Sequence, residues 1–353
     1  MRVHTLVVGQ GIAGSLVAYQ LLKRGKTVVV IDDPKPNTSS KVAAGLYNPI
    51  TGQRMVKTWM ADALFPFLEQ FYGEMEQFLS TAFLHKRTIY RPFESISEQN
   101  EWFAKSVEAG YSPVVKAQGA HAQVQAYFKA PYGGLLTQIS GFVDTLPLLE
   151  SFSQYLKGRE MLEEEVFAHE ELKIGPSAIQ YKKWDAEQIV FCEGIGALQN
   201  PLFRYLPLNG TKGELLDLDI EGYPVQEIVN KGVFVLPKNG RQSVGSNYEW
   251  NFENDQPSEK GKSEIEEKLK KILTAPYKIL DHKAGVRPTV KDHRPLLGRH
   301  PEFPHVFIFN GMGTKGISLA PYFSSHFVQC LLDNRSFLPE ADIRRFDYLY
   351  LPK

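Results

Sequence analysis

The chain has 353 residues, 43% of them apolar, and its 40 Lys plus Arg balance its 40 Asp plus Glu. This length allows one large or two ordinary domains with a sizeable core. The balanced charge excludes a global attraction to nucleic acid or to an anionic membrane. The chain enters an apolar strand almost at once and has no run of about 20 apolar residues, so we expect a cytoplasmic protein without a signal peptide or membrane span. Cys192 and Cys330 lie in apolar surroundings, which predicts core thiols in a reducing compartment.

The first 33 residues have the pattern strand, glycine turn, helix, strand. Leu6-Val7-Val8 predicts a buried strand, apolar residues from Ile12 to Leu22 recur at helical intervals, and residues 27–31 (TVVVI) predict a second strand. Such a unit is the setting in which a glycine motif binds a dinucleotide.

The turn of this unit carries the G-x-G-x-x-G spacing in Gly9, Gly11 and Gly14, with Ile12 and Ala13 between the last two glycines. The glycines allow a tight turn, close approach of a pyrophosphate and close packing of the helix. The free N–H groups of the helix start favour phosphate. Asp32, followed by Asp33, ends the second strand 18 residues after Gly14, where a carboxylate can bind ribose hydroxyls. The stretch predicts a dinucleotide site, with a plain glycine-rich turn as the alternative.

The segment from Pro34 to Met55 has no helical or strand period, and a loop this long usually lines a site. Its small residues Ala44 and Gly45 would let the backbone approach a flat ligand closely. A surface linker is the alternative. From Thr58 to Leu79 the pattern is helical again, with aromatic residues for one face.

The middle of the chain predicts a return to the first sheet. Asp144 or Thr145 can cap a helix, residues 165–167 (EVF) predict a strand, and Ile189 to Cys192 predict a buried strand that ends at Glu193-Gly194. At this strand end the backbone of Glu193 and Gly194 could contact a cofactor. Residues 212–282 then predict short antiparallel strands, with Asn239-Gly240 as a hairpin turn, and a charged amphipathic helix over 258–273.

A second glycine cluster lies near the end of the chain. A buried strand over 306–309 leads into Gly311, Gly313 and Gly316, and a helix follows. The start of that helix offers N–H groups, and Lys315 adds a positive charge. A solvated lysine on a turn is the alternative.

Six stretches in chain order, GQGIAG, AAGLYNP, EGIG, VFVLPKNGRQSVGSNYE, AGVRPTVKDHRPLLG and NGMGTKGISLAP, resemble the FAD-dependent D-amino-acid-oxidase-like family. That family includes glycine oxidases, sarcosine oxidases and the oxidase domain of enzymes that modify tRNA. The resemblance implies an α/β fold with FAD as the cofactor. It implies a discontinuous Rossmann-like FAD-binding domain, which we place at 1–80, 140–210 and 284–353. An antiparallel-sheet substrate domain would comprise 81–139 and 211–283.

The resemblance also assigns roles to single residues. Ala44 and Gly45 would lie along the flavin ring, the backbone of Val166 would contact the adenine, and Gly313, Thr314, Lys315 and Gly316 would face the pyrimidine edge of the flavin. A cation on a helix N-terminus suits the negative charge that builds there on reduction.

For the substrate, Arg287 in the G-x-R-P motif would hold a carboxylate. An arginine that only ties the two domains together is the alternative. Tyr248 would add a hydroxyl above the flavin. Phe234 stands where glycine oxidases tend to have a tyrosine, which argues against glycine itself as the substrate. The pattern indicates no metal site.

These features predict an enzyme that oxidises a C–N bond of a small amine or amino acid by hydride transfer to flavin N5. A carboxymethylaminomethyl-uridine of tRNA is an alternative substrate, although the chain lacks the basic excess of a tRNA binder. An NAD-dependent dehydrogenase and a non-catalytic FAD-binding module are the alternatives from other classes. The pattern specifies neither the amine, the electron acceptor, the oligomeric state nor covalent attachment of FAD.

Overall fold

The computed structural model describes residues 1–35, 37–52 and 55–351. Pro36, Gln53 and Arg54 of the predicted loop, and the last two positions of the predicted FAD domain, lie outside these residues. In chain order the strands are Arg2–Val8 (β1), Val28–Asp32 (β2), Leu46–Tyr47 (β3), Ile50–Thr51 (β4), Val56–Lys57 (β5), Leu84–Lys86 (β6), Ile89–Pro92 (β7), Val115–Gln118 (β8), Gly134–Thr137 (β9), Gly141–Val143 (β10), Leu162–Glu164 (β11), Leu172–Ile174 (β12), Ile179–Tyr181 (β13), Trp184–Phe191 (β14), Leu208–Ile220 (β15), Ile228–Lys231 (β16), Val233–Lys238 (β17), Arg241–Gly245 (β18), Tyr277–Val290 (β19), Leu296–Arg299 (β20) and Val306–Asn310 (β21). The α-helices are Ile12–Lys23 (α1), Ser39–Val42 (α2), Ala61–Leu79 (α3), Ile96–Lys105 (α4), Ala122–Gln125 (α5), Thr145–Lys157 (α6), Glu259–Ile272 (α7) and Gly316–Asp333 (α8).

The first sheet is built on parallel strands in the order β11-β2-β1-β14. β14 pairs with β13 near its start, antiparallel, and with β21 near its end, parallel. The chain leaves β1 toward β2 on one side and returns as β14 on the other, which opens a crevice at the carboxyl end of β1. The predicted return of residues 189–192 to this sheet is confirmed.

Both faces of the first sheet are buried, which explains the continuous apolar runs of its strands. Val7 and Val190 belong to the core on the side of α1, α3, α6 and α8, whereas Leu6, Val8 and Ile189 belong to the core on the opposite side. Successive side chains of a strand point to opposite faces, so β1 supplies both cores.

The second sheet has the order β19-β15-β18-β17-β16-β7-β9-β8 and is antiparallel except where β16 pairs with β7. The antiparallel prediction is therefore correct apart from this parallel pair, whose strands are far apart in the chain, as parallel pairing requires. The predicted hairpin is confirmed: Asn239 and Gly240, both at positive φ (52° and 73°), join β17 to β18. The apolar side of α7 covers one face of the sheet.

β15 and β19 pair along almost their whole lengths, from Leu208 opposite Val290 to Ile220 opposite Tyr277. Leu208 and Val290 pack in a core of the first sheet, while Ile220 packs in the core beneath α7. These two strands therefore connect the two sheets. The predicted domain boundaries stay a prediction, and those at 210/211 and 283/284 fall inside β15 and β19.

Three sequence predictions of local structure are wrong. Residues 165–167 form no strand. The strand here is β11, which ends at Glu164 because Glu164 pairs with Asp32, the last residue of the partner strand β2. The loop from 34 to 55 contains α2 and two short strands. The helix predicted from Thr58 begins at Ala61, and its buried stripe consists of Ala61, Leu64, Phe65, Leu68, Phe71, Tyr72 and Met75.

Both cysteines are free and buried. No helix within 1–35, 37–52 and 55–351 has the length and apolar character needed to cross a membrane. In the same residues, no group of three or more His, Cys, Asp or Glu side chains could hold a metal ion.

Candidate active site

The first glycine turn lies at the crevice, between the end of β1 and the start of α1. Gly9 has φ of +99°, and a Cβ added there would lie 2.6 Å from the carbonyl oxygen of Cys192. A Cβ on Gly14 would overlap the carbonyl oxygen of Gly9, so α1 can pack this closely only with glycine. A Cβ on Gly11 would approach Ser40 Oγ at 3.0 Å.

The start of α1 leaves several N–H groups available. Ile12 N–H donates to Ser40 Oγ over 3.0 Å. Among the described residues, the N–H groups of Gly11, Ala13 and Gly14 donate to no acceptor. With the positive end of the helix dipole, these N–H groups form the kind of cradle that binds phosphate.

Asp32 lies beside this turn. Its Oδ1 accepts a hydrogen bond from Gln10 N–H over 2.7 Å. Burial raises the pKa of its carboxyl, and the Gln10 hydrogen bond opposes that shift. Asp33, by contrast, forms an ion pair with Lys35 at 2.8 Å, and both side chains face solvent. Asp32, rather than Asp33, is therefore held against the glycine turn.

Val166 follows close to the same place. Glu165 N–H donates to the carbonyl oxygen of Asp32 over 3.0 Å, which brings Val166 next to the end of β2. Its side chain is 67% exposed, and no hydrogen bond between described residues uses its N–H or carbonyl group. The backbone of Val166 is thus available to a ligand, as its predicted adenine contact requires.

The predicted residues Ala44 and Gly45 pack against β10. Gly45 has φ of +77°, and a Cβ there would overlap the carbonyl oxygen of Val143. Ala44 packs against the core formed by Ile89, Phe142, Ile228 and Leu236. The small residues are thus needed for protein packing, and their predicted contact with the flavin ring stays a prediction.

The other two glycine turns meet through a residue that the sequence did not single out, the buried Asn310. Its Nδ2 donates to the carbonyl oxygen of Gly194 over 2.7 Å, and its Oδ1 accepts from Gly311 N–H over 2.8 Å. The Glu193 carboxylate accepts a hydrogen bond from Asn200 Nδ2 over 2.7 Å and lies 3.5 Å from His169 Nε2. The Glu193 side chain therefore stabilises the turn that contains Gly194.

The C-terminal turn presents Lys315 to the inside of the molecule. Gly311 and Gly313 have φ of +72° and +56°, and Thr314 is exposed. Lys315 Nζ lies 3.4 Å from Thr51 Oγ1 and 3.3 Å from Thr58 Oγ1. Burial, and to a smaller degree the charge of Arg294, lowers the pKa of the Lys315 amine. The solvated-lysine alternative does not fit this position.

Arg287 extends from β19 over Gly213, where a Cβ would overlap its guanidinium. Its Nη2 donates to Ser246 Oγ over 2.9 Å and its Nη1 to the carbonyl oxygen of Asn247 over 3.4 Å, and its Cζ lies 4.9 Å from the ring centre of Tyr248. Burial lowers the pKa of this guanidinium, which nevertheless remains charged. No carboxylate of the described residues pairs with it, so a buried charge is left for a ligand.

A cavity of about 330 Å³ lies between the C-terminal turn and the second sheet. Its lining includes Gly311, Gly313 and Lys315 from the turn, and Thr289 of β19, two residues along the strand from Arg287. Tyr248 lines it as well and is 55% exposed. The structure thus brings Lys315 and Tyr248 to one cavity, and Arg287 contacts Tyr248 from outside its lining. The first glycine turn and Asp32 also lie outside this lining.

These features fit FAD. The glycine turn and the N–H groups at the start of α1 suit a pyrophosphate. The carboxylate of Asp32, which has one oxygen bonded to Gln10, suits a ribose. Reasoning from the sequence missed Asn310, Ser40 and the two threonines at Lys315. Ser40 and Thr51 lie in the long loop from Pro34 to Met55, and the length of that loop was the one feature of the sequence that indicated a contribution to the site.

Comparison with known proteins agrees with this geometry. The model of the FAD dependent oxidoreductase family (DAO) matches residues 4–329. Glycine oxidase of Bacillus subtilis (strain 168) is 25% identical over 344 residues, 90% of each chain. The tRNA 5-methylaminomethyl-2-thiouridine biosynthesis bifunctional protein MnmC of Hahella chejuensis (strain KCTC 2396) is 23% identical over 90% of this chain and 55% of its own length.

The crystal structure of glycine oxidase from Geobacillus kaustophilus superposes with a TM-score of 0.77 at 18% identity, over 98% of both chains. This likeness shows the same fold. The predicted fold class and FAD dependence are confirmed, and the NAD-dependent and non-catalytic alternatives are set aside. The chain belongs to the FAD-dependent oxidoreductase family named DAO, and it is an enzyme of that family.

Proposed function

We propose that this enzyme oxidises a C–N bond of a small amine or amino acid whose carboxylate binds Arg287. The observation that carries the proposal is the guanidinium of Arg287, which is largely buried and has no carboxylate partner among the described residues. Such a group is costly to bury unless a ligand neutralises it. Similarity to glycine oxidase supports a substrate of this class.

Bound FAD supplies the two-electron acceptor for this oxidation. The residues of the chain position the amine: two of the five guanidinium N–H groups of Arg287 are directed to Ser246 and Asn247, and the remaining donors can bind both oxygens of a carboxylate. Rigid positioning of this kind contributes much of the acceleration in reactions that need orientation rather than a protein base.

Lys315 would act on the charge that develops during the reaction. Its amine is a partly buried cation on a helix N-terminal turn, held by two threonine hydroxyls. In a site of low dielectric, a fixed cation stabilises nearby negative charge more strongly than it would in water. Tyr248 lines the same cavity and is an exposed residue, so its hydroxyl could hydrogen-bond a substrate.

The test is the anaerobic mixing of the FAD-loaded enzyme with N-substituted glycines and D-amino acids while flavin absorbance is followed. Bleaching by at least one of them, with release of the matching carbonyl compound, is expected. An enzyme that none of these compounds reduces would exclude the simple oxidase function.

A second candidate substrate is a carboxymethylaminomethyl-uridine in tRNA. The match to MnmC favours it, and Tyr248 and Trp250, 55% and 58% exposed at the cavity, could stack on a base. The balanced charge of the chain argues against it. Reduction of the flavin by tRNA carrying this nucleoside, and not by free amino acids, would favour this candidate over the first.

A further inference from the structure

The lining of the cavity includes an arginine, Arg294, which is held by a stack of aromatic rings. The ring of Trp59 stacks on Phe323 at 5.5 Å between centroids and 15° between planes. On Trp59 lies the guanidinium of Arg294, with Cζ 4.2 Å from the ring centre. Phe323 is fully buried in α8, so the stack is anchored in the core and fixes the guanidinium at the cavity wall.

Within the described residues, the charge of Arg294 is not neutralised by a nearby acid. The carboxylate closest in the chain, Asp292, accepts the backbone N–H of Arg294 at 3.0 Å with one oxygen and Arg345 Nε at 2.9 Å with the other. Among the described side chains, no carboxylate forms an ion pair with Arg294. Within the described part of the chain, the guanidinium of Arg294 forms one hydrogen bond, from Nη1 to the carbonyl oxygen of His293 at 3.5 Å, which leaves most of its donors free.

The cavity itself is positive. Its lining contains Arg294 and Lys315, together with the exposed His293, and no Asp or Glu among the described residues. Two cations that face one small cavity repel each other, and an anion between them would relieve that repulsion. Arg287 lies outside this lining, but its guanidinium contacts Tyr248, which lines the same cavity as Arg294.

We propose that Arg294 determines substrate specificity by binding a second carboxylate, so that the preferred substrate is a dicarboxylic amine with one carboxylate on Arg287 and the other on Arg294. This inference rests on the proposed function, because it assumes that Arg287 binds the carboxylate beside the reacting carbon. It adds a chemical class: amines that carry a second carboxylate on the nitrogen or on the side chain.

The first test measures binding without turnover. Flavin absorbance of the FAD-loaded enzyme is titrated with acetate, malonate, succinate and glutarate, in the wild type and in Arg294→Gln. Arg299→Gln is the matched control, since Arg299 also stacks on an aromatic ring, Phe307 at 5.5 Å, but does not line the cavity. We expect one dicarboxylate to bind at least tenfold more tightly than acetate, and this preference to be lost in Arg294→Gln and kept in Arg299→Gln.

The second test compares turnover of iminodiacetate with that of N-methylglycine, which lacks the second carboxylate. Arg294→Gln should raise KM for iminodiacetate at least tenfold more than KM for N-methylglycine. Equal binding of acetate and all dicarboxylates by the wild type, or equal effects of the variant on both ligand classes, would overturn the inference. If the wild type oxidises neither amine nor any other, the proposed function fails, whereas the absorbance titration still decides whether Arg294 binds a second carboxylate.

Discussion

Replacing Arg287 by Met should remove the preference of the enzyme for amines that carry a carboxylate. The guanidinium is already directed by Ser246 and Asn247, so a substrate carboxylate would meet a preorganised fork. A hydrogen bond to a charged group contributes about 1.5–3 kcal/mol. Two such bonds give at least roughly 3 kcal/mol, which corresponds to about a 100-fold loss in kcat/KM.

The assay is the anaerobic rate of flavin reduction by the best amino acid and by the amine that remains when its carboxylate is removed. Arg287→Met should slow only the amino acid, and Arg287→Lys, which keeps the charge but loses the fork, should give an intermediate rate. Equal slowing of both compounds, together with a lower melting temperature, would show that Arg287 only ties the strands together, and the reasoning would be refuted.

Three further variants test the cofactor site. Asp32→Asn should weaken FAD binding about tenfold, because a neutral amide binds ribose hydroxyls less strongly than a carboxylate does. Because burial raises the pKa of Asp32, its favourable contribution to the stability of the apo-protein is present at acid pH and is lost as pH rises through that pKa. The apo-protein of the variant should therefore melt no lower than the wild type at pH 7. Unchanged FAD affinity would contradict the role of Asp32 in binding the ribose. Lys315→Met should slow flavin reduction about 10- to 100-fold. In the wild type, the rate of flavin reduction should decline at alkaline pH, beginning below the usual lysine pKa, and the variant should lose this decline. A variant that keeps the alkaline decline would exclude Lys315 as its cause. Gly14→Ala should destabilise the protein by about 1–3 kcal/mol in denaturant unfolding, because the added methyl overlaps Gly9. The control Gly73→Ala, in open space within α3, should raise stability by about 0.5–1 kcal/mol, and equal effects of the two changes would contradict the packing argument.

The local glycine motifs and the fold class could be predicted because neighbouring residues determine them. The turn at Gly9 needs only the strand before it and the helix after it, and Asn239-Gly240 fixes a hairpin through its own φ angles. The sequence also marks Lys315 as a positive charge on a glycine turn at a strand end, and the structure places it at the cavity; its role beside the flavin, which the resemblance implies, stays a prediction. Such signals require no knowledge of distant contacts.

The structural features that the sequence did not predict depend on contacts between residues far apart in the chain. Residues 165–167 look like a strand, but β2 ends too early to pair with them. The helical pattern predicted from Thr58 includes Trp59, whereas Trp59 lies before α3 and stacks on Phe323 and Arg294, more than 200 positions further along the chain. Asn310 joins two glycine turns across 116 positions. No spacing pattern marks a residue whose role is set by such contacts.

Arg287 and Thr289 lie on one stretch of β19 that pairs residue by residue with β15, and a Cβ on Gly313 would lie 3.5 Å from the methyl group of Thr289. Arg287, the proposed carboxylate anchor, and the C-terminal turn are thus held at a fixed distance from each other. α-Amino acids and β-amino acids place their oxidisable carbon at different distances from the carboxylate. The enzyme should therefore discriminate between these two series by length, whatever the rest of the side chain.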